Sequence, residues 1–253
     1  MDKACPRCSL SERSFTQLSA TIYIPTKQKP VINLIINHPK KLTCKECKRI
    51  DIDAIEAWDI STGGVTPLGD TIVVAIVDGG MLLTHADLIP NLWTNWGEIA
   101  GNGIDDDNNG YIDDIHGWNA YSSNGSIPSD GHGTHVAGIV GAKGNNGSYV
   151  SGVNWEVKLM ALGGSSGTTS IVLEAYGYIL DQRAIYDSTG GASGAFVVAT
   201  NSSFGVNNAD CNSGSYSLWN DMYNAMGQYG ILSCGATMNN NSNVDVTGDV
   251  PTG

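Results

Sequence analysis

No apolar run in the 253 residues approaches the roughly 20 that a membrane-spanning helix needs. Positive charge is almost missing from most of the chain, since after residue 49 only Lys143, Lys158 and Arg183 carry it. With a net charge of −12, the chain is a poor match for nucleic acid or an anionic membrane surface as its main partner. Met1 opens onto the polar stretch MDKACPRCSLSERS, so no signal peptide is read there, and the expectation is that either the protein stays inside the cell or the reading frame lacks its original start. What is present is enough for a packed protein. With 41% hydrophobic and 15% charged residues the chain can bury a core, and its length suits one large domain with or without a small appendage.

Charge divides the chain near residue 50. Residues 1–49 hold ten of the thirteen Lys and Arg, with only Asp2, Glu12 and Glu46 as acids, while the remainder sets three basic residues against 22 acidic ones. We therefore expect a basic, Cys-containing segment over 1–50 and a globular body over 51–253. Four of the six cysteines fall in the first segment, as Cys5-x-x-Cys8 and Cys44-x-x-Cys47. Two such knuckles could complete a tetrahedral, structural zinc site if TIYIP and VINLII form a hairpin between them. A disulfide pair, or a segment that never folds, are the alternatives.

In the body, Ile52–Ile60 reads as a short amphipathic helix with Ile55 and Trp58 on one face. Thr71–Val77 (TIVVAIV) is a continuous β-branched run, as in a strand buried on both faces, and it ends at Asp78-Gly79-Gly80. Further strands are expected at Val157–Leu162, Ala195–Thr200 and Ile231–Gly235, with helices over Ser170–Tyr186 and Tyr216–Tyr229. Strands alternating with helices imply an α/β fold, a parallel sheet covered on both faces. Sites in such sheets lie at the carboxyl ends of the strands, which is where Asp78 falls.

The most informative stretch is Asp130–Ala142, DGHGTHVAGIVGA. Gly131 and Gly133 permit a tight turn and a close backbone approach, and a small-residue apolar run follows that can pack as a helix against a sheet. His132 is thereby expected at the exposed N-terminal end of that helix.

VAIVDGG followed by DGHGTHVAGIVGA resembles the Asp and His motifs of the subtilisin-like serine peptidases, with Gly79 where that family usually has Ser or Thr. The resemblance covers roughly residues 52–253 and implies a three-layer subtilisin-like fold around a central parallel sheet, incomplete at its C-terminus. It implies that His132 is the general base and Asp78 its orienter. Thr200-Asn-Ser-Ser-Phe-Gly205 is similar to the family's strand end lining the primary specificity pocket. Ser203, Phe204 and Gly205 would there pair with an extended polypeptide substrate. Leu162-Gly-Gly-Ser-Ser-Gly167 resembles the opposite edge, with Gly163, Gly164 and Ser165 as substrate-binding residues. Gly230–Asn239 (GILSCGATMN) is similar to the strand ending in the oxyanion asparagine, which assigns that role to Asn239, with Asn240 as the alternative.

The family's nucleophile lies in a Gly-Thr-Ser-type turn beyond the oxyanion strand, and these 253 residues contain no such turn at that place. The resemblance therefore implies a serine endopeptidase represented by an N-terminal portion of its peptidase domain, lacking the rest of that domain and inactive by itself. A pseudoenzyme or a non-catalytic, metal-stabilised peptide-binding module is the alternative, and an intracellular zinc ribbon fused to a relic is a third reading.

Asp105-x-Asp107-x-Asn109-Gly110 matches the opening of a calcium loop, with oxygen ligands on alternate residues and glycine for the sharp turn. The Tyr111 carbonyl and the Asp113 carboxylate would follow, and His116 stands where an EF-hand has Glu. An Asp/Asn-rich solvated turn is the alternative. By family resemblance, Asp87 and Asn146 are candidates for a second, weaker calcium site. Acidity, calcium loops and family likeness point to an exported protein. The paired cysteines and the lack of a leader point to the cytosol, and we expect export. Cys234 is expected as a packed thiol in a strand, and Cys211 lies in a loop.

Overall fold

All six side chains of β1, Val73–Asp78, are buried, so this strand has a helix layer on each of its faces. This is why TIVVAIV shows no alternation: both faces are apolar. Val73, Ala75 and Val77 point into one hydrophobic cluster, Val74 and Ile76 into another. The computed structural model describes residues 52–207, 209, 214–237, 239 and 249–250. The segment 1–50 with Cys5, Cys8, Cys44 and Cys47 lies outside the described residues, as do Cys211 and Asn240.

The elements run α1 (Ala54–Trp58), β1, β2 (Gly117–Asn119), α2 (Gly131–Gly141), β3 (Lys158–Gly163) and α3 (Thr169–Thr189). They continue with β4 (Val197–Ser202), β5 (Val206–Asn207), α4 (Ser217–Gln228), β6 (Leu232–Gly235) and β7 (Asp249–Val250). Five strands form one parallel sheet in the order β2-β3-β1-β4-β6, and β5 pairs antiparallel with β7. The fold is thus the expected α/β arrangement. Each expected strand and helix is present within a few residues of its expected bounds.

Two findings differ from the expectation. The first is β2, three residues long and carrying no apolar run that could announce it. The second is α1, only five residues long, with Ile55 exposed and no buried residue. Trp58 anchors it: the indole Nε1 donates to Val153 O (2.8 Å), and the ring lies 4.7 Å from that of Trp155.

On one face of the sheet, Val136, Ala137 and Val140 of α2 pack on Val74, Ile76, Leu159 and Ala161. On the other, Val172, Ala175 and Ile179 of α3, with Trp219 and Met226 of α4, cover Ala75, Val77, Met160 and Leu162. Leu159 is fully buried in the first cluster. Leu159→Ala is expected to cost about 2–5 kcal/mol in urea unfolding, with the slope of the transition unchanged.

Candidate active site

β1 ends on Asp78, whose carboxylate is buried, and α2 begins one residue before His132, whose side chain is 59% exposed. The two meet: His132 Nδ1 lies 3.0 Å from Asp78 Oδ1 and 2.9 Å from Oδ2. Facing a carboxylate, Nδ1 carries the proton, so Nε2 is left as the acceptor on the exposed side of the ring. The Gly79 amide also donates to Asp78 Oδ1 (2.8 Å) and holds the carboxylate in place.

The glycines of DGHGTH explain this approach. A methyl group on Gly133 would overlap the Gly80 carbonyl oxygen and lie 2.9 Å from Asp78 Cβ. Asp130 is the N-cap of α2: its carboxylate accepts from the Gly133 amide (2.6 Å), and its carbonyl accepts from Thr134 Oγ1. Thr134 Oγ1 in turn accepts from the Leu82 amide (2.8 Å), which ties the helix start to the segment after β1. Asp78, Asp130 and His132 form one compact acidic–imidazole group. A methyl on Gly79 would come within 2.9 Å of the Asp130 carboxyl carbon, which gives a reason for glycine there.

Strand order places two chain segments beside this pair. β3 and β4 flank β1, and neighbouring strands lie about 4.8 Å apart. The three strands end within one residue of one another in register, and the segments after β3 and β4 flank Asp78 on either side. On the β4 side, Ser203 and Phe204 are half-buried, Gly205 is exposed, and Asn201 Nδ2 donates to Ser203 Oγ (3.0 Å). On the β3 side, Gly163 and Gly164 are buried and their backbone is already engaged. The Gly163 carbonyl accepts from Ala120 N, and the amides of Gly164 and Ser165 both donate to Asp78 O. Ser165, Ser166 and the exposed Gly167 are the part of that edge facing solvent. Tyr121, which sequence reasoning missed, closes it: its hydroxyl donates to Ser165 O (2.7 Å), and its ring would contact any side chain on Gly163. Asn239 is exposed at a bend four residues past β6.

The Asp/Asn-rich loop folds around its own carboxylates. Asp105 accepts from the amides of Asn109 and Gly110, Asp107 from the amide of Asn109, and Asn109 Oδ1 from the amide of Tyr111. Oxygens of Glu98, Asp105 and Asp107 lie within 4.8 Å of one another. Glu98 was not among the expected ligands, because it lies upstream of the loop pattern. Asp113 turns its carboxylate to the amides of Asn102 and Gly103 instead. The three cations of the described residues are engaged elsewhere, Lys143 with Glu156, Lys158 with Pro90 O and Arg183 with Asp187. Three converging carboxylates without a cationic partner are a donor set suited to a hard divalent ion. At the second candidate, buried Asp87 accepts from Asn146 Nδ2 (2.8 Å) and the Val150 amide (3.0 Å), which closes loop 145–150 over it.

Asp114, next in the chain, is fully buried. It accepts from Asn95 Nδ2, Asn109 Nδ2, Tyr178 OH and Gln182 Nε2. Burial pushes its carboxyl up to about 6. Burial likewise raises the half-buried Cys234 thiol.

A model of the subtilase family matches residues 69–252, more than half of the chain. The chain belongs to the subtilase family. It is 45% identical over 93 residues to subtilisin-like protease 1 of Plasmodium berghei, covering 36% of this chain and 16% of that protein. It is 36% identical over 129 residues to an extracellular protease of Xanthomonas campestris pv. campestris, covering 47% of this chain and 21% of that one. With the major intracellular serine protease of Bacillus subtilis it shares 32% identity over 149 residues, 56% of this chain and 40% of that protein. The chain thus spans well under half the length of each of these relatives that it matches. Subtilases are serine proteases, and relatives of this chain are found both outside and inside the cell.

Two variants probe the geometry. Asp130→Ala removes the cap of α2 and is expected to cost about 1 kcal/mol in unfolding free energy. Gly133→Ala forces apart the Gly80 carbonyl and Asp78 and is expected to cost about 2 kcal/mol or more in the same measurement. Equal stability of Gly133→Ala and the parent would show that the approach is loose.

Proposed function

We propose that this chain is part of the peptidase domain of a subtilisin-like serine endopeptidase acting on extended polypeptide. The contact between Asp78 and the exposed His132 is the observation that carries the reading. In this role His132 Nε2 takes the nucleophile's proton and later returns it to the leaving amine, while Asp78 holds Nδ1 and stabilises the imidazolium. Asn239 donates to the developing oxyanion, and a serine contributed from outside these 253 residues makes the attack. The substrate strand lies between Ser165–Gly167 and Ser203–Gly205, beyond the end of β1.

A calcium ion held by Asp105, Asp107, Asn109, the Tyr111 carbonyl and Glu98 would fasten the loop 98–113, and a weaker one at Asp87 and Asn146 would fasten loop 145–150. When bound, calcium supplies charge neutralisation and rigidity and no chemistry. We also propose a structural zinc for Cys5, Cys8, Cys44 and Cys47, and export from the cell. The same two edges support one second reading, a peptide-binding module that holds an extended chain without cutting it.

Incubated alone with a denatured polypeptide, the chain is expected to cleave nothing. Within a polypeptide that supplies the Gly-Thr-Ser turn, cleavage is expected, and Asp78→Asn is expected to lower kcat by about 10⁴ and Asn239→Ala by about 10²–10³. Unchanged kcat in Asp78→Asn would overturn the proposal, and binding without cleavage in the longer polypeptide would favour the second reading. Calcium at a hundred times its Kd is expected to raise Tm by about 5–10 °C, an effect that Asp105→Asn removes.

A further inference from the structure

β4 carries two hydroxyl side chains two residues apart on one face, and the structure treats them differently. Thr200 Oγ1 is buried with no partner among the described residues. Ser202 Oγ, equally buried, lies 2.6 Å from the hydroxyl of Tyr176 on α3. Tyr176 OH is also 3.1 Å from Tyr223 OH on α4, and the two rings meet edge to face at 5.4 Å. One small hydroxyl on a strand end is thereby tied to both helices of that layer. Burial holds both phenols above their ordinary range, so the cluster stays neutral and protonated under working conditions.

The place of Ser202 gives this cluster its meaning. Ser202 is the last residue of β4, directly before Ser203, Phe204 and Gly205. Its carbonyl accepts from the Ala236 amide (2.9 Å), at the start of the segment that runs to Asn239. In register it faces Val77 on one side and Gly235 on the other. The hydroxyl is therefore fixed to the helices, while the carbonyl fixes the neighbouring strand end. Phe204 and Tyr223 pack against the same core cluster, so a shift of either helix would be felt at Ser203–Gly205.

We propose that Tyr176, backed by Tyr223, is a positioning residue that sets where Ser203–Gly205 stand beside the groove, and with it the size of substrate side chain accepted against that wall. This deepens the proteolytic reading above and rests on the groove that reading assigns. Tyr176→Phe keeps the ring and removes the hydroxyl, leaving Ser202 Oγ buried without its partner. A purely structural hydroxyl would lower stability and weaken every ligand alike, whereas a positioning hydroxyl changes the ranking of ligands.

The test uses the full chain and N-acylated tetrapeptide amides identical except for a terminal Ala, Leu or Phe, with each Kd measured by calorimetry. The ratio of Kd values for the Ala and Phe peptides is expected to shift about fivefold to tenfold in Tyr176→Phe, the net worth of one buried hydrogen bond expressed as a ratio. Tyr223→Phe is expected to move it in the same direction by less. An unchanged ratio, with all three affinities lowered together, would overturn the positioning role and leave the groove reading intact. No binding of any peptide by the unmodified chain would instead refute the groove reading. If Tyr176→Phe fails to fold, Ser202→Ala is decided by the same ratio.

Discussion

The contact on which the candidate site depends is that between a buried carboxylate at the end of a central strand and an imidazole at the start of a helix. It exists because two backbones approach more closely than side chains would permit, at Gly133 against Gly80 and Asp78. Once that approach is made, the Asp130 cap and the bond from Leu82 to Thr134 fix the helix start, and His132 can present only one nitrogen outward. Replacing a glycine at that crossing would move the ring before it touched any reacting group.

The same strand end organises what surrounds the pair. The carbonyl of Asp78 accepts two amides from the segment after β3, so one residue anchors both the imidazole and one of the segments beside it. The other segment continues from β4, whose end is held through Ser202 by a hydroxyl bond to α3 and a backbone bond to the segment after β6. The ends of β1, β3 and β4 lie within one residue of one another in register, so the segments that follow β3 and β4 leave the sheet on either side of Asp78.

Much of this was legible in the residues, and the exceptions share a cause. The strands over 73–78, 158–163 and 197–202 are apolar runs, and the Asp-Gly-His-Gly pattern announces both a cap and a close approach. The strand at 117–119 was not legible, since three residues set no period. Gly163 and Gly164 match the family's substrate edge, yet their neighbours Ala120 and Asp78 already engage their backbone, and spacing alone cannot show which groups are spent. Glu98 joins Asp105 and Asp107 from outside the loop pattern, and Tyr121 reaches Ser165 across 44 positions of chain. Ile55 was expected to turn inward with Trp58, but a helix of five residues anchored by one indole leaves it in solvent.

The most direct measurement of the central claim is proton and nitrogen NMR of the His132 ring in the full chain. A strongly deshielded, slowly exchanging proton on Nδ1 is expected, coupled to an unprotonated Nε2 in the neutral ring and lost in Asp78→Ala. A His132 ring that carries its proton on Nε2, or whose spectrum is the same with and without the Asp78 carboxylate, would contradict the account.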